Sequence, residues 1–441
     1  MRTWLGLILL FTGSMLQASE PGNPMSLRIR EADTAKAMEY VKQLGSPSYK
    51  VREQAYRELS KMGRLAIRAL EAGTQFPETE IRLRCSEMLP EAEAAELQSR
   101  IQAFLADKKN EYQHDLSGWT RFRTTLGDTA EVRSLFAAML KNPKNYRLLL
   151  ALKEVPEQQL PPLAGLAGAV AFTQRALPSW NLLLPALNER RATLFAQHME
   201  QLPTGGYRQT PPSVPDFGLL LFAESMISDR QLPWNQLQYQ LISWMYQPAL
   251  RDSLVGKGEY GDCYRRLFST WMETRDSVNS ITQVISLAQN LQLGTPILGQ
   301  LAVRLLNVPA IQPWNKANAL TMIARHSAID QFHHIKDSLK DDTIVIAAQP
   351  INAQPEIQVR DVALAMALIM RNQDPKEYGM DLQHAQTHMR YNYSNFRFRD
   401  DSDMKATDRR RKAIEQFNRW EATQFGSIIG TGLATTFLQN K

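Results

Sequence analysis

Apolar side chains recur at helical spacing along most of the chain. In residues 49–62, Val51, Ala55, Leu59 and Met62 fall on one helical face. This spacing predicts amphipathic helices. Prolines and glycines separate the stripes at short intervals, which favours short turns between antiparallel helices in an all-α fold. Comparable stripes occur at Leu135, Phe136, Met139 and Leu140; at Leu163, Leu166, Ala167, Val170 and Ala171; at Trp234, Leu237, Leu241 and Trp244; at Tyr264, Leu267, Phe268 and Trp271; at Ile281, Ile285, Ala288 and Leu291; and at Ile297, Leu298, Leu301, Leu305 and Leu306.

The chain also contains an internal repeat. Its first copy begins at Pro47 and continues through an aliphatic residue, an arginine, a small residue and a leucine. A proline that follows Ser or Gly ends one helix and suits the first turn of the next. Gly63 then predicts a turn before a partner helix that contains Ile67 and Leu70. The copies align at Pro47, Val51, Arg52, Ala55 and Leu59; at Pro77, Ile81, Arg82, Cys85 and Leu89; and at Pro355, Val359, Arg360, Ala363 and Ala367.

Each repeat unit predicts a helix pair that cannot bury its apolar face alone. Such pairs must stack on one another, and we expect the arginine of each unit to pair with acidic or carbonyl groups of its neighbour. The second copy lacks the glycine turn and a clear second helix.

The repeat resembles the HEAT repeat, whose proline, Val-Arg, alanine and glycine positions match Pro47, Val51, Arg52, Ala55 and Gly63. The early segment SPSYKVREQAYRELSKMG and the late segment IQVRDVALAMALIMRNQDPKEYG are similar to secreted HEAT-like proteins of planctomycete-type bacteria. The resemblance covers the two ends of the chain. The resemblance implies an armadillo-type α-solenoid, and it implies no particular activity.

The first 18 residues have the pattern of a secretory signal peptide. Arg2 precedes the apolar block Trp4–Phe11, and a more polar stretch follows that block and ends at Ala18. The block is shorter than the roughly 20 residues that span a bilayer. We expect cleavage after Ala18, which predicts export to the periplasm, the cell envelope or the medium. Leu16 stands where a small residue is preferred, so an uncleaved anchor remains an alternative.

Composition excludes several classes of protein. The 441 residues are 44% hydrophobic and 22% charged, which excludes a disordered chain and a multispan membrane protein. The formal net charge of +6 is mild for this length, so we expect no nucleic-acid partner. The two cysteines, Cys85 and Cys263, lie in apolar helical patterns. They are expected to be buried thiols, with a single disulfide as the alternative.

Turn-rich and β-branched segments suggest the domain organisation. A Pro/Gly-rich loop at 203–217 separates N-terminal HEAT-like repeats at 19–202 from C-terminal helical repeats at 218–389. A basic and aromatic segment with a capping helix follows at 390–441. The run Ile344-Val345-Ile346 predicts one small β-hairpin insertion near 341–355, the only strand pairing expected in the chain.

The chain lacks the common catalytic signatures. No G-x-S-x-G elbow, P-loop, H-E-x-x-H, zinc cysteine pattern or Rossmann fingerprint occurs. The nearest approach to a metal site is His384 and His388 with Asp381, because two histidines four residues apart share a helix face. Two surface histidines are the favoured interpretation. We therefore expect no enzyme activity, no metal and no cofactor, with a metal-dependent enzyme as a minor alternative.

Cations and aromatic rings alternate in the C-terminal segment. Such a pattern suits an anionic polymer, because rings stack and guanidinium groups pair with anions. The alternative is that nearby aspartates neutralise the cations and a helix carrying Ile414, Phe417 and Trp420 caps the repeats. The candidate binding residues are Tyr391, Arg397, Arg399, Arg409, Arg410 and Arg411.

Together these patterns predict an exported, non-enzymatic helical-repeat scaffold that binds an unidentified protein in the bacterial envelope. Solenoids present long surfaces that fit extended partners. Binding of an anionic polymer through residues 390–412 is the alternative function. No stable membrane insertion is expected once the signal has been removed.

Overall fold

A computed structural model of the protein describes residues 22–155, 180–201, 207–227, 236–291, 297–326, 329–347, 356–382, 393–398 and 406–425. These residues are mostly helical, which confirms the all-α prediction. They belong to two compact units, Met1–Val155 and Pro156–Lys441. The predicted signal peptide at 1–18 and the stripe at 163–171 lie outside the described residues. Within the described ranges, no helix combines the length and apolar character that crossing a membrane requires.

The first unit is built from short helices around an apolar core. The core lies among the first four helices and includes Val41, Ala55, Leu59, Leu70 and Cys85. The predicted stripe on the sixth helix is buried as well. The helices are α1 (Glu31–Gln43), α2 (Tyr49–Met62), α3 (Ile67–Gly73), α4 (Thr79–Ala106), α5 (Trp119–Leu126), α6 (Ala130–Lys141) and α7 (Tyr146–Lys153), with 3-10 turns at Pro24–Leu27, Gly63–Ala66 and Pro143–Asn145.

The first two repeat copies share one local hydrogen-bond arrangement. Arg52 Nη1 donates to the carbonyl oxygens of Ser46 and Pro47 at 2.8 and 3.2 Å. The Nη1 atom of Arg82 donates in the same way to Phe76 O and Pro77 O, at 2.8 and 2.5 Å. The carbonyl partners therefore belong to the arginine's own preceding turn, and not to the neighbouring unit as expected. The acidic partner does come from the next copy, because Arg52 Nε lies 3.8 Å from Glu80 Oε1.

The repeat copies differ in three other respects. Val51, predicted to face the core, lies in the first turn of α2 and is 38% exposed, whereas Ala55 one turn later is buried. The second copy forms one continuous helix, α4, which runs through Pro90. In the third copy the helix begins only at Val359, because Ile357 pairs with a strand and Gln358 forms a capping box with Asp361.

A buried polar network closes the end of α4. The Asp107 carboxylate accepts hydrogen bonds from the backbone N–H groups of Glu111 and Tyr112 at 3.0 and 3.1 Å. His114 Nε2 lies 3.1 Å from Asp107 Oδ2, and Arg133 Nη1 lies 3.4 Å from the same oxygen. Arg133 Nη1 also donates to Phe104 O at 2.9 Å. The network thus satisfies carbonyl groups at the C-terminal end of the helix.

The second unit contains the remaining helices. α14 packs on α15, and α15 packs on α17, whose residues from Asp361 to Ile369 are all buried. The helices are α8 (Trp180–Gln197), α9 (Val214–Ser225), α10 (Gln236–Met245), α11 (Pro248–Leu254), α12 (Gly261–Glu273), α13 (Val278–Leu291), α14 (Ile297–Leu306), α15 (Pro313–His326), α16 (Phe332–Asp337), α17 (Val359–Met370) and α18 (Ala406–Phe425), with 3-10 turns at Ile329–Gln331, Ser338–Lys340, Pro375–Tyr378 and Tyr393–Asn395.

Among the described residues, three short antiparallel strand pairs accompany these helices, so the expectation of a single hairpin was wrong. β1 (Met199–Gln201) pairs with β2 (Tyr207–Gln209), β3 (Ile344–Ile346) with β4 (Ile357–Gln358), and β5 (Met380–Leu382) with β6 (Phe396–Phe398). The predicted strand at 344–346 exists, but its partner lies beyond residue 355, next to α17. The other pairs were missed because each strand has only three residues, too few for an alternating pattern.

The segment 203–217 is not a loop throughout. Tyr207–Gln209 form β2, and α9 begins at Val214 with Pro215 in its first turn. Ser213 caps this helix, because its Oγ accepts from the backbone N–H of Asp216 at 3.2 Å. Proline lacks the N–H group that is unpaired in the first helical turn anyway, so it begins a helix here. Residues 202–206 lie outside the described ranges.

Both cysteines are buried and neither forms a disulfide, which confirms the favoured interpretation. Cys85 lies in the core of the first unit and Cys263 in α12 of the second. Burial raises the pKa of the Cys85 thiol to about 11. Cys85 is therefore expected to be a poor nucleophile at neutral pH.

Gly73 provides a test of packing in the first core. A Cβ atom at this position would overlap Cys85 Sγ and would lie 3.0 Å from Val41 Cγ1. We expect Gly73→Ala to destabilise the protein by about 1–3 kcal/mol in urea unfolding. Adding Cys85→Ala should recover part of that loss, because it removes the overlapping sulfur. A double variant less stable than Gly73→Ala alone would contradict this packing.

Asp107 makes stability depend on pH. Burial opposes ionisation of Asp107, but the N–H groups of Glu111 and Tyr112, with His114 and Arg133, together lower its pKa. Because the folded-state pKa lies below the unfolded value, ionised Asp107 stabilises the fold above about pH 4, and this contribution is lost as pH falls further. The stability gap between wild type and Asp107→Asn in urea should therefore be largest at pH 7 and shrink at pH 3. A gap independent of pH would contradict the assignment.

Candidate functional site

The predicted histidine pair lies in a segment that the structure does not describe. His384 and His388 fall between the described ranges, while the backbone of Asp381 forms the middle of β5, opposite Arg397 in β6. Within the described part of the chain, no group of three or more His, Cys, Asp or Glu side chains is placed to hold a metal ion. The metal-site alternative thus gains no support from those residues.

The basic and aromatic segment does not form one exposed strip. Tyr391 and Arg399 lie outside the described residues, and Arg397 is buried on β6 between two buried phenylalanines. Arg409 is half-buried on α18. Arg411 is exposed and its Nη2 lies 3.1 Å from Asp408 Oδ1. Three consecutive arginines, 409 to 411, therefore have three different environments.

Arg410 is an interior residue that joins α18 to the start of α17. Its Nε atom donates to both carboxylate oxygens of Asp361, at 2.8 and 3.0 Å. Its Nη1 and Nη2 atoms donate to Glu356 Oε1 and O, at 3.2 and 2.8 Å. These bonds use all three guanidinium nitrogens, so Arg410 holds α18 in place and is not available to an external ligand in this structure.

A second ionic contact holds the other end of α18. Glu421 accepts from Arg371 Nη2 at 3.3 Å, and Lys336 Nζ lies 2.7 Å from Glu421 Oε2. Between the two contacts, Phe417 is fully buried. The predicted C-terminal helix is confirmed, and it is attached at both ends by charge and in the middle by an aromatic ring.

A further set of buried charges in the described part of the second unit lies around Glu224 of α9. Glu224 Oε1 accepts from Nε of Arg191 at 3.1 Å and from Arg191 Nη2. Trp271 Nε1 donates to Glu224 Oε2 at 2.8 Å. Arg275 Nη1 lies 3.7 Å from Oε2, and its Nη2 donates to Glu224 O at 3.0 Å. All four side chains are nearly inaccessible to water. We call these four residues the Glu224 cluster.

A separate buried ion pair also joins helices α8 and α9. Arg190 Nη2 donates to Asp216 Oδ1 at 3.0 Å. Burial lowers the pKa of the Arg190 guanidinium, and Asp216 opposes that shift. Burial likewise lowers the pKa of nearby His198, whose Nδ1 lies 3.2 Å from Thr210 Oγ1. Helices α8 and α9 are thus joined by two guanidinium–carboxylate contacts.

A small cleft reaches the Glu224 cluster from the surface. Helices α9, α10, α12 and α13 provide its walls, and Arg275 lies two residues beyond the end of α12. The lining residues are Glu224, Leu241, Ile242, Trp271, Arg275, Ser280 and Gln283.

The sequence contains one signal for this cleft that the helical and motif patterns did not include. Glu224 ends the apolar run Phe217–Ala223, where a carboxylate is costly unless it is paired. A single acidic residue within a buried stripe therefore indicates a buried partner. The partner's identity was not readable, because Arg191 and Arg275 lie far from Glu224 along the chain.

No protein-family model, curated protein or solved structure matches this chain.

The α18 contacts distinguish a structural arginine from a surface one. We expect Arg410→Met to destabilise the docking of α18 by about 3–5 kcal/mol, because it leaves Asp361 buried and unpaired. Faster amide hydrogen exchange in α18 and at the start of α17 would report the loss. The adjacent Arg411→Met is the matched control and should leave exchange nearly unchanged. Equal effects of the two variants would contradict the interior role of Arg410.

Proposed function

We propose that this protein is an exported, non-enzymatic helical-repeat scaffold that mediates protein–protein interaction in the bacterial cell envelope. The proposed export rests on the signal-peptide pattern of residues 1–18. The proposed α-solenoid rests on the HEAT-like repeat and on the sequential packing of α1 on α2 and α3, and of α3 on α4.

One surface observation supports protein binding. The N-terminal turns of α2 and α4 carry three exposed apolar side chains, Tyr49 at 66%, Val51 at 38% and Leu83 at 56%. Exposed apolar side chains in one region are typical of protein-binding sites. We call these three residues the α2/α4 patch.

Ion pairs between the two repeat copies give this patch a defined geometry. Arg84 Nη1 of α4 lies 3.4 Å from Glu53 Oε1 of α2, and Arg52 of α2 lies near Glu80 of α4. The two helix ends therefore stay side by side before a partner arrives. A surface that is already ordered loses less conformational entropy on binding. The surrounding charges of both signs would form a polar rim.

A second candidate function is the binding of an anionic polymer by α18. Its outward side carries exposed Arg411, Lys412 and Arg419. These cations are available, whereas Arg397 and Arg410 are buried. Binding of this kind would weaken steeply with added salt, because it depends on surface charge. The metal-dependent enzyme remains a prediction that no described residue supports.

A photo-crosslinking amino acid can be placed at position 83 in the full-length protein, inside cells of its own species. We expect a reproducible crosslink to one envelope protein, identified by mass spectrometry. Leu182, which is also 56% exposed, provides the matched control position. Leu83→Glu should reduce partner recovery about tenfold or more, and Leu182→Glu should not.

Other outcomes would count against the scaffold proposal. The same crosslinked proteins at positions 83 and 182 would show that the α2/α4 patch has no special role. Recovery of polysaccharide that is lost in Arg411→Ser would favour the polymer candidate instead.

A further inference from the structure

Arg397 is a buried cation with unsatisfied hydrogen-bond donors. The residue is 9% exposed, and among the residues that the structure describes its buried Nε and Nη1 atoms have no hydrogen-bond partner. Arg410 is a useful contrast, because its guanidinium is also buried but donates from all three nitrogens to Asp361 and Glu356. A guanidinium that is buried with unsatisfied donors loses its hydration without full replacement. The buried position of Arg397 is therefore unfavourable in itself.

Apolar neighbours hold Arg397 in this position. Phe396 and Phe398 lie on either side of it in β6, and both rings are buried. The strand packs on α17 and α18, and it pairs with β5, where Met380 opposite Phe398 is also fully buried. Two contributions thus oppose each other in β6. Burial of the apolar side chains favours the closed position, whereas burial of the guanidinium disfavours it.

The β6 strand is a site where local opening is expected. It has only three residues, so few hydrogen bonds break when it leaves β5. Release of β6 would return the Arg397 guanidinium to water, which offsets part of the cost of exposing the two rings. We therefore expect β6 to open more readily than the helices around it, in a motion that amide hydrogen exchange detects.

The open state would add a cation to those on the surface of α18. The guanidinium of Arg410 lies 6.0 Å from the centre of the Phe398 ring, so Arg397 lies close to the N-terminal half of α18. Arg411 and Lys412 follow Arg410 in the chain and are exposed. A polymer that contacts these two cations would bring its further anions to β6 at a high effective concentration. Carboxylates suit a guanidinium group, because two parallel hydrogen bonds form between them.

We propose that β6 is a cryptic binding segment, which opens so that Arg397 pairs with a carboxylate of an acidic polysaccharide. The ligand favours the open state, because only that state offers the Arg397 donors. The proposed export favours a polysaccharide over other polyanions, because it places the protein among the polymers of the envelope. This inference rests on the polymer-binding candidate described above and is independent of the α2/α4 patch.

Hydrogen exchange on the full-length protein tests the opening. Arg397→Met keeps the apolar length of the side chain and removes its charge, so the closed state should become more stable. We expect the amides of β6 to exchange at least about tenfold more slowly in this variant than in the wild type. Arg411→Met removes an exposed charge and is the matched control, in which exchange of β6 should be unchanged. Equal or faster exchange in Arg397→Met would overturn the proposal.

Polygalacturonate is the probe for the ligand, and its uncharged methyl ester is the control. We expect the wild type to bind polygalacturonate at low salt, and exchange in β5 to become at least about tenfold faster in the complex, because β5 loses its partner strand. The affinity should be at least about tenfold lower for Arg397→Met, which loses the buried cation, but less than about threefold lower for Arg411→Met.

The remaining outcomes separate this inference from the proposals on which it rests. Equal losses of affinity in the two variants would overturn the cryptic segment and leave surface binding by α18 in place. No binding to the wild type, or equal binding of the methyl ester, would overturn both polymer assignments but not the scaffold proposal. Tighter binding of polyglutamate than of polygalacturonate would overturn the choice of a polysaccharide. If Arg397→Met does not fold, exchange in β5 of the wild type with and without polygalacturonate decides.

Discussion

Buried guanidinium–carboxylate contacts are the interactions on which the arrangement of these helices depends. Most of the helices are short, and their apolar packing is not directional, so packing alone permits several rotations and offsets. A buried arginine permits few rotations and offsets of the helices, because its donors must meet acceptors at fixed positions. Arg133 with Asp107, Arg191 with Glu224 and Arg410 with Asp361 each join segments that are distant in sequence. Loss of one partner leaves a charge buried, which makes these contacts hard to replace singly.

This use of arginine also shapes what the protein presents to ligands. The alternating cations and rings at 390–412 suggest an anionic surface partner, but the structure buries Arg397 and Arg410. The exposed cations of α18 are fewer than the sequence pattern indicated. By contrast, the ion pairs between α2 and α4 lie beside exposed apolar groups and hold them in a defined arrangement.

Prediction from the sequence succeeded where neighbouring residues decide the outcome. Helical stripes such as Tyr264 to Trp271 are buried, and both cysteines are buried without forming a disulfide. Prediction from the sequence failed where a segment distant along the chain decides the local structure. Ile357 joins a strand because Ile346 reaches it, which moves the start of α17 to Val359. Likewise Ser213 and Pro215, which together suggest a loop, begin α9 because the apolar run after them becomes buried.

The sequence by itself determined the helical class of this protein and the buried faces of most of its described apolar stripes. These features depend on residues a few positions apart, whose geometry the helix period defines. Only the tertiary structure decided the roles of Arg409, Arg410 and Arg411. Successive residues on a helix point about 100° apart, so three identical side chains meet three different surroundings. Which of them is buried depends on where Asp361 and Glu356 lie in space, and sequence distance does not contain that information.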